Sequence, residues 1–414
     1  MCGIAGIVKR NVIRDKNIIN SMVESIKHRG PDGKGVYFFD NCVLGHTRLT
    51  IIDLINGDQP MLSVDGNVGL TFNGEIYGYQ AIKAQINYPF NTTSDTEVLL
   101  ALYQEYGTKI LEKLPGMFSF GLWDVKKHML FCARDRFGEK PLYYAFGKTG
   151  EFIFASEIKA IIASGLIDPQ IDQVSLQYYL KRLYVHPSKT IYSNIFSLPP
   201  AHYLTFQNNK CNIKSYWELP EKDETISLGS AVENFKFLFD QAVKKQLVAD
   251  VPVGAFLSGG LDSTTVVNAA SQYNSNLKTF SFGFTDKKKN ELPYARAVAE
   301  KYRTEHKELT EDADNLGDIL IQMQTVYDEP FADSSNVPTY LISKLASEHI
   351  KVVLSGDGGD ELLAGYSYWY SDINNLQDFL GSKHGLFQIS KLIPQKSISN
   401  STGNQKKASK QTTK

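Results

Sequence analysis

Cysteine stands at position 2, directly behind Met1, in Met1-Cys2-Gly3-Ile4-Ala5-Gly6-Ile7. Trimming of the initiator methionine would put a thiol and a free α-amine on one residue. A thiol must be deprotonated to act as a nucleophile near neutral pH. An α-amine, with a reference pKa near ~8 against ~10.4 for lysine, is far richer in free base at pH 7. It can serve as general base for its own side chain, directly or through one water. On Cys2 alone, a small buried residue opening a strand is the ordinary reading. Other polar residues stand at the ends of strand-like runs in the same half: Arg48, Asn73-Gly74-Glu75 and Asp95. An arginine forks onto a carboxylate, and Glu75 with Asp95 would take an ammonium group. A side-chain amide and a glycine N–H, Asn73 and Gly74, could cradle an oxyanion. Together these would recognise an α-amino acid beside a thiol. Singly, Asn-Gly is most often a turn and an arginine near strands a surface ion pair.

A second constellation lies in Phe256-Leu-Ser-Gly-Gly-Leu-Asp-Ser263, which follows a strand-like run and opens a helix. Small residues at a helix N-terminus expose N–H groups to an anion. The Walker lysine is missing, so this is not a standard P-loop. Ser258, Gly259, Gly260 and Ser263 would hold pyrophosphate. Asp262 is too acidic for a bare phosphate site and reads as a Mg²⁺ ligand, with a plain capping turn as the other reading. Val353-Leu-Ser-Gly-Asp-Gly-Gly-Asp-Glu361 repeats the strand-and-glycine pattern with three acids. Asp360 is the second candidate Mg²⁺ ligand, and Asp357 a candidate for organising an activated acyl intermediate.

The elements that must position these groups change character along the chain. Up to about residue 200, short apolar runs are cut by glycine turns, and helical periodicity appears at Ile18–Ile26 and Thr96–Tyr106. That pattern suggests stacked sheets with helices outside. After a polar stretch at Pro220–Thr225, strands alternate with helices, which predicts a parallel, doubly wound sheet with ligands beyond its carboxyl ends. The expected organisation is a first domain over 1–210, a linker over 211–229, a second domain over 230–380, and a low-complexity, disordered tail over 381–414. At 414 residues, two domains are the first expectation. A net charge of −1 gives no pull toward nucleic acid or an anionic membrane. The four cysteines are widely spaced, without a Cys-x-x-Cys pair, as in a disulfide-free cytoplasmic protein. No secretory signal and no run of transmembrane length are recognised.

The joint pattern resembles the class II glutamine amidotransferase domain with an N-terminal nucleophile. The matching pieces are Met1-Cys-Gly-Ile4, His28-Arg-Gly-Pro-Asp32, Arg48-Leu-Thr-Ile-Ile-Asp53, Phe72-Asn-Gly-Glu-Ile-Tyr77, Ser94-Asp-Thr-Glu97 and Arg134-Asp-Arg-Phe-Gly-Glu-Lys-Pro-Leu-Tyr143. Gly78 departs from the asparagine usual there. The resemblance implies an αββα sandwich, Cys2 as nucleophile, and Asn73 with the Gly74 amide as oxyanion hole. It also implies Arg48, Ile51, Ile52, Glu75 and Asp95 as glutamine binders. The two later loops resemble the asparagine synthetase domain of the ATP pyrophosphatase group. That resemblance places Leu257, Phe282, Ser355 and Gly356 around the adenosine of ATP, and Asp328–Ser335 toward the acyl substrate. It implies ATP as a substrate, Mg²⁺, small-molecule partners and a homodimer. The expected reaction is glutamine-driven amidation of aspartate through β-aspartyl-AMP. A sugar acid as acceptor, a glutaminase with an inactive synthetase half, and a ligand-sensing remnant are the alternatives. Relatives usually continue by a further third, with covering helices and a catalytic lysine. Lys383, Lys391 and Lys396 lie in a different context, and Trp369, Tyr370, Phe379 and Leu380 would lack that cover.

Overall fold

The run behind Cys2 becomes strand β1 (Gly3–Val8), whose side chains serve two cores in turn: Ile4 and Val8 enter one, Ala5 and Ile7 the other. Period two is what a strand sandwiched between layers requires. The computed structural model describes residues 1–9, 16–221, 225–284, 290–311 and 316–366. The expected tail over 381–414, with its three lysines, lies outside them, as do Trp369, Tyr370, Phe379 and Leu380. Met1–Ser355 form one compact unit, and a second begins at Gly356.

After β1 come α1 (Lys16–Ser25), β2 (Gly33–Phe38), β3 (Cys42–Arg48), β4 (Met61–Leu62), β5 (Val68–Ile76), α2 (Tyr79–Lys83) and α3 (Asp95–Tyr106). Then follow β6 (Gly116–Asp124), β7 (Met129–Arg134), β8 (Tyr143–Phe146), β9 (Phe152–Ala155), α4 (Ile158–Ala163), α5 (Gln173–Arg182), β10 (Ile195–Ser197), β11 (His202–Gln207) and β12 (Lys210–Ser215). These strands make two six-stranded antiparallel sheets, ordered β10-β8-β9-β1-β3-β2 and β12-β11-β7-β6-β5-β4. Ile4, Val8 and Leu44 of the first meet Trp123, Leu130 and Leu204 of the second. α1 and α4 cover the outer face of the first sheet through Ile19, Met22, Val23, Ile158 and Ile161. α3 covers that of the second through Val98, Leu99 and Leu102. The layers are therefore αββα, as expected. β12 pairs with β11 and so extends the second sheet into the stretch expected as a linker.

The remaining elements are α6 (Leu228–Gln246), β13 (Val253–Phe256), α7 (Leu261–Ser271), β14 (Lys278–Phe284), α8 (Leu292–Tyr302), β15 (Glu305–Glu311), α9 (Leu316–Val326), α10 (Asn336–Ser347), β16 (Val352–Leu354) and α11 (Gly359–Leu363), the last in the second unit. The sheet is parallel, ordered β15-β14-β13-β16. Val243, Val267, Ala270 and Ala295 from α6, α7 and α8 pack on Val253, Ala255 and Leu257. On the opposite face, Ala346 packs on Phe280. The chain winds outward from β13 to β15 and then returns to place β16 on the other side of β13. Strand order thus reverses between β13 and β16, and such a reversal opens a crevice at the carboxyl ends.

Candidate functional site

The residues singled out around Cys2 come from both sheets. Cys2 precedes β1 and is half-buried, and its thiol faces the Leu49 carbonyl at 3.8 Å. Burial pushes the thiol up; the Glu75 and Asp95 charges add to that, while the chain's amino group and the Leu49 contact oppose it. Burial also pulls the Met1 α-amine down to about 6, with Arg29 and Lys140 acting in the same direction. A terminal amine buried in this setting is therefore substantially free base at neutral pH.

Asn73, Gly74 and Glu75 sit in register on β5 opposite Ser119, Phe118 and Met117 of β6. The Asn73 amide nitrogen Nδ2 is buried and has no hydrogen-bond partner. Gly74 is needed for close approach, since a Cβ there would stand 2.3 Å from the Met117 carbonyl oxygen. Burial raises the Glu75 carboxyl well above the usual range; Asp95 adds to this and Lys140 opposes it. Asp95 lies in the first turn of α3 behind the N-cap Ser94, and accepts the Ile76 N–H at 3.0 Å. Burial raises it to about 6. Two buried acids held close to protonation are suited to a cation, which would restore both charges.

Arg48 ends β3 and is buried. Its Nη1 donates to Asp58 at 2.8 Å, and its Nη2 donates to the Asp53 carbonyl and, at 3.5 Å, to that of Ile52. Asp58 is exposed, so an incoming carboxylate can take its place on the guanidinium. Ile52 is buried and Ile51 partly so, both against the second sheet's outer core.

Several partners were not singled out from sequence. Arg29 donates from Nε to the Cys2 carbonyl at 2.9 Å and from Nη1 to Glu157 at 2.8 Å. Asp135 accepts the N–H groups of Phe118, Phe137, Glu139 and Lys140, while Arg134 donates to the carbonyls of Gly138, Lys140 and Leu198. The Arg134–Tyr143 stretch is thus a self-tied loop that brings Lys140 to the Met1 sulfur at 3.1 Å. Arg29 and Lys140 lie inside quoted motifs, but only the fold assigns them partners.

The second set is placed by β13, β14 and β16. Gly259 has φ +84°, and a Cβ there would stand 2.6 Å from Tyr294 Cβ. Gly260 caps α7, which carries Asp262 in its first turn. Ser258 Oγ accepts the Gly260 N–H at 3.2 Å and lies 3.0 Å from Ser263 Oγ. Leu257 is buried, and its N–H donates to the Phe280 carbonyl at 2.9 Å. Phe282 packs against Ile319 and Leu341. Ser258 and Ser355 follow the two adjacent strands β13 and β16, whose Ala255 and Leu354 are in register. The Ser258 loop and Ser355 therefore stand at the strand-order reversal. Gly356, Asp357 and Asp360 belong to the second unit, where α11 is capped by Gly358 and carries Asp360 in its first turn.

The Asp328–Ser335 stretch does something the sequence did not suggest. Asp328 accepts the Lys159 N–H at 2.8 Å and pairs with its ammonium at 3.2 Å, and Glu329 accepts the Ile191 N–H at 2.6 Å. Its first two acids thus hold the antiparallel half.

A thiol one residue from the chain start in an αββα sandwich, with the buried Glu75 and Asp95 carboxyls acting on it, is the arrangement of an N-terminal nucleophile amidotransferase. The glutamine amidotransferase domain model matches residues 1–217, and the asparagine synthase model residues 234–413. A Methanocaldococcus jannaschii protein that carries the name of a glutamine-hydrolysing asparagine synthetase is 38% identical over 92% of this chain and 80% of its own length. The Bacillus subtilis asparagine synthetase (glutamine-hydrolysing) 1 is 33% identical over 95% of this chain, and the Zea mays enzyme 34% over 92%. The chain spans 64% and 62% of those two proteins. A solved Bacillus subtilis glutamine phosphoribosylpyrophosphate amidotransferase aligns with 74% of this chain and 65% of its own, with TM-score 0.40 and 16% identity. The chain belongs to the family of glutamine-hydrolysing asparagine synthetases.

Proposed function

We propose that this chain takes ammonia from glutamine at Cys2 and transfers it to the side-chain carboxylate of aspartate, activated by ATP. The observation that carries the first half is the buried, unpartnered Asn73 Nδ2, in a site where Glu75 and Asp95 act on the Cys2 thiol. The second half rests on the small-residue loop at the strand-order reversal and on family membership.

Once Met1 is removed, the amine of Cys2 accepts the thiol proton. Sulfur attacks the glutamine side-chain carbonyl, and the oxyanion is held by Asn73 Nδ2 and the Gly74 N–H. Arg48 takes the substrate carboxylate, Glu75 and Asp95 its ammonium. The C–N bond breaks, the amine returns its proton, ammonia leaves, and water hydrolyses the thioester to glutamate. In the second half an aspartate carboxylate oxygen attacks the α-phosphorus of ATP and pyrophosphate leaves. Ammonia then attacks the acyl carbon, AMP leaves, and asparagine remains.

Asp262 and Asp360 would hold Mg²⁺. Among the described residues no group of three or more His, Cys, Asp or Glu is gathered for a metal. Mg²⁺ takes one or two carboxylates and completes its shell with phosphate oxygens and water. When bound, the ion would neutralise charge on the departing pyrophosphate. Asp357 would organise the acyl intermediate, and Leu257, Phe282, Ser355 and Gly356 the adenosine. The first domain is assigned to residues 1–210 extended through β12, and the second from about 230.

The test measures glutamate and AMP together in glutamine, aspartate, ATP and Mg²⁺. Both products are expected, and Cys2→Ala should lose glutamate while ammonium chloride still drives AMP formation. Glutamate without AMP would reject the synthetase half, and AMP with a sugar acid but none with aspartate would reject the acceptor.

A further inference from the structure

The Arg48–Asp53 segment is held from outside its own sandwich. Asp250 accepts the Asp53 N–H through Oδ2 at 2.8 Å, and its own N–H donates to the Ile51 carbonyl at 3.0 Å. Lys351 Nζ donates to Thr50 Oγ1 and to Asp32 Oδ2, each at 2.7 Å. Asp32 Oδ2 in turn accepts the Thr50 N–H and hydroxyl, both at 2.8 Å. Residues 50, 51 and 53 are thus each bonded to the parallel-sheet half. The two residues that do this enter adjacent strands: Asp250 precedes β13 and Lys351 precedes β16. Two strands paired in register are a stiff base for such a grip.

Resting on the glutamine-site reading above, we propose that Asp250 and Lys351 are positioning residues for glutamine, clasping the Thr50–Asp53 segment and thereby aiming Arg48. The connection is direct. Arg48 Nη2 is oriented by the Ile52 and Asp53 carbonyls, the same short stretch whose Ile51 carbonyl and Asp53 N–H Asp250 fixes. The contact pattern also separates aiming from mere stability. Lys351 is about a third exposed, and an exposed ion pair stabilises a fold by little. Its loss should therefore be visible in substrate geometry before it is visible in a melting curve. Asp250 holds the segment at two points, its carboxylate on the Asp53 N–H and its own backbone N–H on the Ile51 carbonyl, of which Asp250→Ala removes the first.

The variants are Asp250→Ala, Lys351→Met and the conservative Lys351→Arg, in the full chain. Two readouts are taken: hydrogen exchange of the segment around residues 48–56, and the glutamine KM and kcat for glutamate release. Asp250→Ala should speed exchange in that segment and raise KM about tenfold with kcat changed by no more than about threefold, as a mis-aimed substrate clamp does. Lys351→Met should do the same to a smaller degree, and Lys351→Arg should restore parental values. Exchange unchanged in Asp250→Ala overturns the clasp. An active parent whose variants lose kcat at constant KM, or show no change, overturns the positioning role while leaving the glutaminase reading intact. A parent that releases no glutamate rejects the glutaminase reading and the positioning role with it, while the exchange data still judge the contact.

Discussion

An amide donor buried without a partner costs on the order of 1–3 kcal/mol, and Asn73 Nδ2 is such a donor. A group kept at that cost is expected to find its partner only when charge develops on substrate. Asn73→Ala should therefore keep or raise the melting temperature while lowering kcat for glutamine hydrolysis by about 10²–10³-fold; a thermal melt and steady-state kinetics on one sample check both. Asp95 follows the same logic through protons. Its folded pKa of about 6 stands above the ordinary 3.8 because it is buried. The folded state holds the proton more tightly, so this group favours folding at low pH, and that contribution is lost as pH rises from 3.8 through about 6. Asp95→Asn should raise stability at pH 7 and weaken glutamine binding, read from melts and from KM. Cys2, Arg48, Asn73, Glu75 and Asp95 were legible because each carries chemistry in its residue type. Arg29 and Lys140 were not assigned partners, because a cation's partner is set by which loops meet, and no spacing encodes that.

Elements were legible where periodicity was strong. β2, β3, β5, β6 and β9 fall on the apolar runs, and α1 and α3 on the helical ones. β15 was missed because Glu305–Glu311 reads as charged. It is an edge strand of the parallel sheet, paired with β14 alone, and an edge tolerates charge. β12 falls in the stretch expected as a linker for a similar reason, since it too is an edge and mostly exposed. The loop between β13 and α7 was readable because its glycine is conformationally forced. Gly259→Ala would strain a φ of +84° and drive a Cβ into Tyr294. It should cut AMP formation by more than about tenfold, given a strain of order 1–3 kcal/mol in the loop proposed to hold pyrophosphate, with glutamate release unaffected. A parallel loss of glutamate release would show that the loop supports the antiparallel half as well.

At the scale of the molecule, two carboxylates near the meeting of the antiparallel and parallel-sheet halves within Met1–Ser355 titrate in opposite senses: Glu157, paired within the antiparallel half, and Glu329, which reaches across to it. Burial alone would raise the Glu157 carboxyl, but hydrogen bonds from His28 and Arg29 bring it down to about 2, and Lys159 beside it reaches across to Asp328. Its stabilising contribution is present above its ordinary 4.5 and is lost as pH falls through about 2. Glu329, buried where it accepts the Ile191 N–H, is raised from 4.5 to about 7. Its contribution is full below 4.5 and lost as pH rises through about 7. The stability these two carboxylates confer therefore has an optimum between those limits, and each side should be removable on its own. Glu157→Gln leaves Arg29, only 9% exposed, without its counter-charge. At neutral pH this should cost about 3–5 kcal/mol, the range for breaking a buried pair, and the deficit against the parent should shrink as pH falls below 4.5. Glu329→Gln keeps an oxygen acceptor for the Ile191 N–H but does not titrate, so it should hold stability level as pH rises through 7. Urea unfolding across this pH range tests both. Parallel stability curves for parent and either variant would mean that the carboxylate concerned does not govern stability in that pH range.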